Sequence, residues 1–128
     1  VVIDDGAAGT SYTGTWKVSG GADPYGTQSI YNKKPGDIYA FQAGLTGRYD
    51  VSLWWTEHSS RCSEVSVEVY DGDTLLESVT VNQGQDGGQW NDLGVYDFTG
   101  TAKVVLVSAS QSCSTSADAV SFSPAAAR

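Results

Sequence analysis

The sequence predicts an all-β fold, a two-sheet antiparallel β-sandwich, on three observations. Apolar residues recur with period two, and no segment holds a helical period beyond a turn. The alternating runs are short. Clusters of Gly, Ser, Thr and Asp separate them, as turns between strands require. With 128 residues, 40% of them apolar, the chain fits one domain that closes its own core.

Taken in order, the strands are expected at 1–4, 12–18, 28–32 and 37–42. The clearest follows at 48–55, where Tyr49, Val51, Leu53 and Trp55 share one face while Asp50, Ser52 and Trp54 share the other. Segment 64–70 repeats the pattern with Val65, Val67 and Val69 inward. The turn Asp71-Gly72-Asp73 then delivers a hairpin into 74–82, because Asp-Gly tolerates the positive φ of tight turns. Further strands are expected at 93–98, 102–108 and 117–123. Trp16, which alternates with Val18, reads as core. A single module over 1–123 is expected, with 124–128 (Pro-Ala-Ala-Ala-Arg) as a linker stub. The chain opens on a strand, as expected of a mature domain or a module of a longer secreted protein.

Charge removes two classes of partner. The net charge is −8, and Lys33-Lys34 is the one cluster of cations, so neither nucleic acid nor an anionic membrane surface is expected to bind. No apolar run approaches the ~18 residues of a membrane span, so no insertion is expected. The two cysteines, Cys62 and Cys113, lie in serine-rich loop sequence, which favours a disulfide and an oxidising, extracellular setting. Zinc is disfavoured, since only His58 could join them.

Two long irregular loops, 19–27 and 83–91, carry the candidate site. A sugar site needs a ring for the apolar face of a pyranose and planar polar groups for its hydroxyls. Trp90 follows two glycines and is flanked by Gln89 and Asn91, so ring and amides could converge on one ligand; alternatively Trp90 begins the next strand and packs over the core edge. Tyr25, in a Pro-Tyr-Gly turn, is either a platform or a loop anchor. Trp54 and Trp55 are adjacent in a strand and point oppositely, so Trp55 is core and Trp54 is either covered by a loop or open to ligand. Arg61, beside Cys62, reads either as a pinned donor to hydroxyls or carboxylates, or as the partner of Glu57 or Glu64.

Asp118 shares a face with Val120 and Phe122 and so points inward, where it needs donors or a cation. Asp4 and Asp5 end the first strand and could lie near it, which would permit a structural calcium site. Backbone and hydroxyl donors are the alternative, and no other cofactor is expected. Catalysis is not expected. His58 is the lone histidine, no nucleophile-elbow sequence exists, and Gly84–Gly88 leads into a strand rather than a helix that would cradle phosphate.

Several of these residues also form a recurring order. Val2-Ile3-Asp4-Asp5-Gly6, Trp54-Trp55-Thr56 before Arg61, and Val79-Thr80-Val81-Asn82-Gln83 precede Gly87-Gly88-Gln89-Trp90-Asn91 and Ala117-Asp118-Ala119-Val120. Over nearly the whole chain this resembles the golvesin C-terminal-like domain, related to the terminal domain of xanthan lyases. More loosely it is similar to family 6 and family 35 carbohydrate-binding modules, through Gly36-Asp37, Gly47-Arg48-Tyr49, Gly87 to Trp90, and Asp118. The asparagine that often precedes the closing aspartate strand is replaced by Ser114-Thr115-Ser116.

The resemblance implies a galactose-binding-like jelly roll with a ligand site among loops at one end, where the loops of Cys62 and Cys113 would also meet. The expected function is a non-catalytic, secreted or cell-surface module binding a polysaccharide or cell-surface glycan through Trp90, Tyr25 and Trp54, with Arg61, Gln89 and Asn91 reading hydroxyls. The alternative is a structural or adhesive domain whose loop aromatics dock on a neighbouring domain or a partner protein.

Overall fold

The structure, a computed structural model, describes residues 1–125. Its strands are β1 (Val2–Asp4), β2 (Thr10–Tyr12), β3 (Lys17–Ser19), β4 (Ser29–Asn32), β5 (Ile38–Trp54), β6 (Val65–Asp71), β7 (Thr74–Val81), β8 (Asn91–Val107), β9 (Thr115–Ala117) and β10 (Ala119–Pro124). Every pairing between them is antiparallel, and no helix forms among the described residues. Seven strands make one sheet, ordered β1-β10-β5-β8-β6-β7 with β2 also on β5; β3-β4-β9 make the other. The all-β sandwich is therefore the observed class.

Two of the expected breaks are absent. Segments 37–42 and 48–55 join into β5, and 93–98 with 102–108 join into β8. The two strands pair from Ile38 opposite Val107 to Leu53 opposite Asn91. The glycines that read as turns lie at the middle of this ladder, where Gly47 (φ 127°) faces Phe98 and Gly100 faces Leu45. The ladder runs through both without a shift in register, so neither glycine ends its strand. One residue, Leu93, is bulged out where Val51 pairs with Gly94 but Ser52 with Asp92.

Two other segments split. Gly14 (φ 76°) divides 12–18 into β2 and β3, which join different sheets. A Cβ there would lie 1.8 Å from the Asp37 carboxylate. Val18 is exposed, while Trp16 packs edge-on against Tyr39 at 5.4 Å, at the margin of the core. Segment 117–123 divides at Asp118, where the chain leaves the small sheet as β9 and enters the large one as β10. Pro124 still pairs with Tyr49, and the Ala125 N–H donates to the Arg48 carbonyl, so regular structure runs into the expected stub. Positions 126–128 of that stub lie outside the described residues.

The core follows the alternation. Val51, Leu53 and Trp55 are buried, as are Val65, Val67 and Val69, and all six belong to one apolar cluster with Phe98 and Phe122. Burying each such side chain contributes about 1.5–3 kcal/mol, which fixes the strand registers. Cys62 and Cys113 are bonded, with Cα atoms 5.0 Å apart, and tie the loop after β5 to the loop before β9.

Candidate functional site

Beneath one end of the sandwich runs a seam of buried polar side chains. Gln83, fully buried, receives the Ser116 N–H at 2.6 Å and donates Nε2–H to the Ser116 carbonyl at 3.0 Å, so its amide continues the ladder of β9. Ser29 Oγ and Thr56 Oγ1 lie 2.7 Å apart beside Ser116. Such groups are tolerated inside because they satisfy one another.

Arg61 lies at the edge of this seam, 7% exposed. Its Nε donates to the Thr56 carbonyl (2.8 Å), Nη1 to Ser114 Oγ (2.9 Å), and Nη2 to Ser19 Oγ (2.7 Å) and Thr56 Oγ1 (2.6 Å). Every one of these acceptors is uncharged. The expected partners Glu57 and Glu64 form no ion pair with it; Arg48–Asp97 is the one ion pair among the described residues. Burial accordingly lowers the guanidinium pKa from its ordinary value, which the nearby Tyr31 phenol partly opposes. The disulfide explains the placement: Arg61 precedes Cys62, Ser114 follows Cys113, and the two form an isolated parallel bridge. A cleft of about 310 Å³ opens over Arg61, walled by Ser19, Gly21, Tyr31, Lys33, His58 and Ser60 among others. His58 Nδ1 accepts the Ser60 N–H at 3.0 Å, which leaves Nε2 as the protonated nitrogen of the neutral ring.

The loop 19–27 leads from this cleft to the aromatic residues. Gly21 packs on Thr56 and Arg61 so closely that a Cβ would lie 2.6 Å from Thr56 Oγ1, and Ala22 bridges to Glu57. A few residues on, Tyr25 meets Trp54 (5.6 Å, 71°) and Trp90 (5.4 Å, 50°), and Trp54 meets Trp90 (5.3 Å, 83°). The three expected rings thus converge without stacking: Trp54 meets both others edge to face, as ring quadrupoles favour, and Tyr25 lies tilted on Trp90. Trp54 is anchored by its Nε1–H to the Asp23 carbonyl and is half-buried, like Tyr25; Trp90 is exposed.

Loop 83–91 holds Trp90 in place through backbone contacts. Trp55 Nε1 donates to the Gln85 carbonyl, the Gly88 N–H to the Trp55 carbonyl, and the Gly87 N–H to Glu57 Oε1. Gly87 lies so near that a Cβ would sit 2.5 Å from the Glu57 nitrogen. Of the two amides expected to read hydroxyls, Asn91 donates Nδ2–H to the Asp86 and Gln89 carbonyls and so braces its own loop. Gln89 is exposed at the surface beside Trp90.

Under the Tyr25 turn lies a cluster of carboxylates. Asp4, Asp5 and Asp118 each bring an oxygen within 4.8 Å of the others. Asp118, fully buried, accepts the Tyr25 N–H on Oδ2 (2.9 Å), while its Oδ1 has no partner; neither has the buried Oδ1 of Asp5. Burial, with the neighbouring charges of Asp5 and Asp4, raises Asp118 to about 8 despite the Tyr25 hydrogen bond. Burial and the Asp4 carboxyl raise Asp5 to about 7, against a hydrogen bond from Gln28. Neutral donors therefore satisfy only half of Asp118.

Sequence reasoning missed Lys33, Ser19 and Ser114 as neighbours of Arg61, and Gln83 as the brace of β9. The serine was within reach, because residues flanking two bonded cysteines must be close. Lys33 and Ser19 depend on how β3 and β4 fold over, which no local pattern reveals.

The profile of the Golvesin C-terminal domain family matches residues 1–124. No functionally curated protein matches the chain. Among solved structures, a Paenibacillus xanthan lyase is similar over 98% of this chain with 28% identity and a TM-score of 0.88; the chain spans 13% of that enzyme's length. A family 35 carbohydrate-binding module from an environmental isolate matches 100% of this chain and 99% of its own, at 16% identity and TM-score 0.69. A family 36 module in complex with calcium and xylotriose matches 96% of this chain and 99% of its own, at 13% identity and TM-score 0.61. At these identities the two modules share the fold.

Proposed function

The chain belongs to the golvesin C-terminal domain family, and from that premise we propose that it is a non-catalytic carbohydrate-binding module of a secreted or cell-surface protein. One observation carries the reading: Tyr25, Trp54 and Trp90 gather within 5.6 Å of one another at the loop end, with Trp90 outermost. An exposed indole braced from behind by two further rings loses little conformational freedom when a pyranose stacks on it. The fold it shares with carbohydrate-binding modules adds support, as does the cleft over Arg61, whose walls include serine and tyrosine side chains and two cations. Affinity electrophoresis in gels cast with candidate polysaccharides tests the reading. Retardation in at least one gel, lost in Trp90→Ala with the fold intact by circular dichroism, is expected; equal retardation of the variant would remove this site.

Calcium is the cofactor we propose for Asp4, Asp5 and Asp118. The donors fit it: all are oxygen, two are buried without partners, and their spacing can be spanned by one ion with Ca–O distances of about 2.3–2.6 Å. Bound there, calcium would offset two of the three carboxylate charges. Asp118 holds the Tyr25 N–H, so a rigid cluster also steadies the turn that carries the Tyr25 ring.

A further inference from the structure

We propose that the Arg61 cleft is a carboxylate subsite, so that the glycan bound is an acidic polysaccharide whose uronic acid residue enters it. The inference rests on the carbohydrate reading and adds the class of sugar.

The charge distribution is its first support. The chain has fifteen acidic residues against seven Lys and Arg, yet the charged residues in the walls of this cleft are Arg61 and Lys33, with no carboxylate among them. A protein of net charge −8 thus places two cations and no acid in a cleft walled in part by Ser19, Gly20 and Gly21, the start of the loop that carries Tyr25.

The second support is the state of Arg61. A guanidinium this buried ordinarily has a carboxylate partner, because desolvating an unpaired charge costs several kcal/mol. Here four of its five N–H groups are satisfied by a carbonyl and three serine and threonine hydroxyls, all neutral, and one Nη1–H remains. The hydroxyls hold the fork in place, and the countercharge is left for a ligand to bring. Lys33, exposed on the cleft wall, supplies a second cation that can move to meet it.

Size and surroundings narrow the anion to one on a sugar. A cavity of about 310 Å³ is at the small end of ligand sites, suited to one sugar unit. The hydroxyls of Ser60 and Tyr31 and the protonated Nε2 of His58 line it alongside Arg61, giving donors and acceptors for ring hydroxyls. Loop 19–27 joins this cleft to Tyr25, so a chain with one unit here would place a neighbouring unit toward Trp90.

The test is a titration followed by backbone amide chemical shifts, with tri-galacturonate, its fully methyl-esterified form, and a sulfated galactose oligosaccharide as probes. Tri-galacturonate is expected to shift the amides of Ser19, Gly21, Ser60 and Arg61. Its affinity is expected to be at least tenfold above that of the methyl ester and of the sulfated sugar, and to fall at least tenfold in Lys33→Glu. Lys33 is exposed, so that variant keeps the fold. Equal binding of ester and acid, tighter binding of the sulfated sugar, or an unchanged affinity in Lys33→Glu would each overturn the subsite. If neutral glycans still bind and Trp90→Ala abolishes them, the carbohydrate reading stands while this one falls. If no glycan of any charge binds, both fall together.

Discussion

The buried acids make a prediction about stability in which pH and calcium oppose each other. In the fold, Asp118 and Asp5 hold protons up to about pH 8 and about pH 7, whereas in the unfolded chain such carboxyls release them near the ordinary 3.8. Between these limits the folded state binds more protons than the unfolded one. The contribution is therefore fully present below about pH 4 and is lost as pH rises through 7 to 8. A carboxyl raised this far represents roughly 6 kcal/mol at alkaline pH as an upper bound, since the acids relax and share protons. For a chain of this length about 3 kcal/mol corresponds to roughly 10 °C in Tm. Calcium acts on the same oxygens with the opposite pH dependence, because it needs them ionised. At a hundredfold excess over its Kd it restores about 2.7 kcal/mol.

The assay is differential scanning calorimetry at pH 5.5 and pH 8.5, each with EDTA and with 1 mM calcium. Without calcium, Tm is expected to fall by several degrees toward pH 8.5; with it, most of the loss returns. General repulsion in an acidic protein also grows with pH, so Asp118→Asn is the control. It keeps a neutral side chain of the same shape, and is expected to melt higher than the parent at pH 8.5 in EDTA and to lose the calcium response. A Tm indifferent to calcium at pH 8.5, or a pH slope unchanged in Asp118→Asn, would refute the account.

Gly87→Ala places a methyl against the Glu57 backbone at 2.5 Å, so loop 83–91 must shift; about 1–3 kcal/mol of stability and most polysaccharide retardation are expected to go together, read by denaturant melts and affinity gels. Replacing Cys62 and Cys113 with alanine opens a loop of 51 residues, which lowers stability by about 4 kcal/mol in the chain-entropy picture and frees Arg61 from Ser114. Dithiothreitol is expected to lower the Tm of the parent but not of that double variant, by calorimetry.

Much of the fold was legible because a half-buried strand must alternate. Val51, Leu53 and Trp55, and the valines of β6, are interior where period two puts them. The cysteines were legible for a similar reason, since their polar loop context left bonding as the natural fate. Glycine was the misleading signal. Gly14 does separate two strands, but Gly47 and Gly100 lie inside paired ones, and local sequence does not distinguish these uses. Asp118 was recognisable as inward-facing, yet its half-satisfied state depends on Tyr25, 93 positions away.

By itself, then, the sequence determined the class of fold, the interior face of each main strand, the covalent link and the residue types able to meet a sugar. These follow from local periodicity and side-chain chemistry, which act over a few residues. Only the tertiary structure decided that three rings interlock with Trp90 outermost, that three acids share one pocket, and that Arg61 lies buried among neutral partners with Lys33 beside it. Those relations join residues dozens of positions apart, and they exist only once strand register and the switch between sheets at Asp118 have brought the loops together.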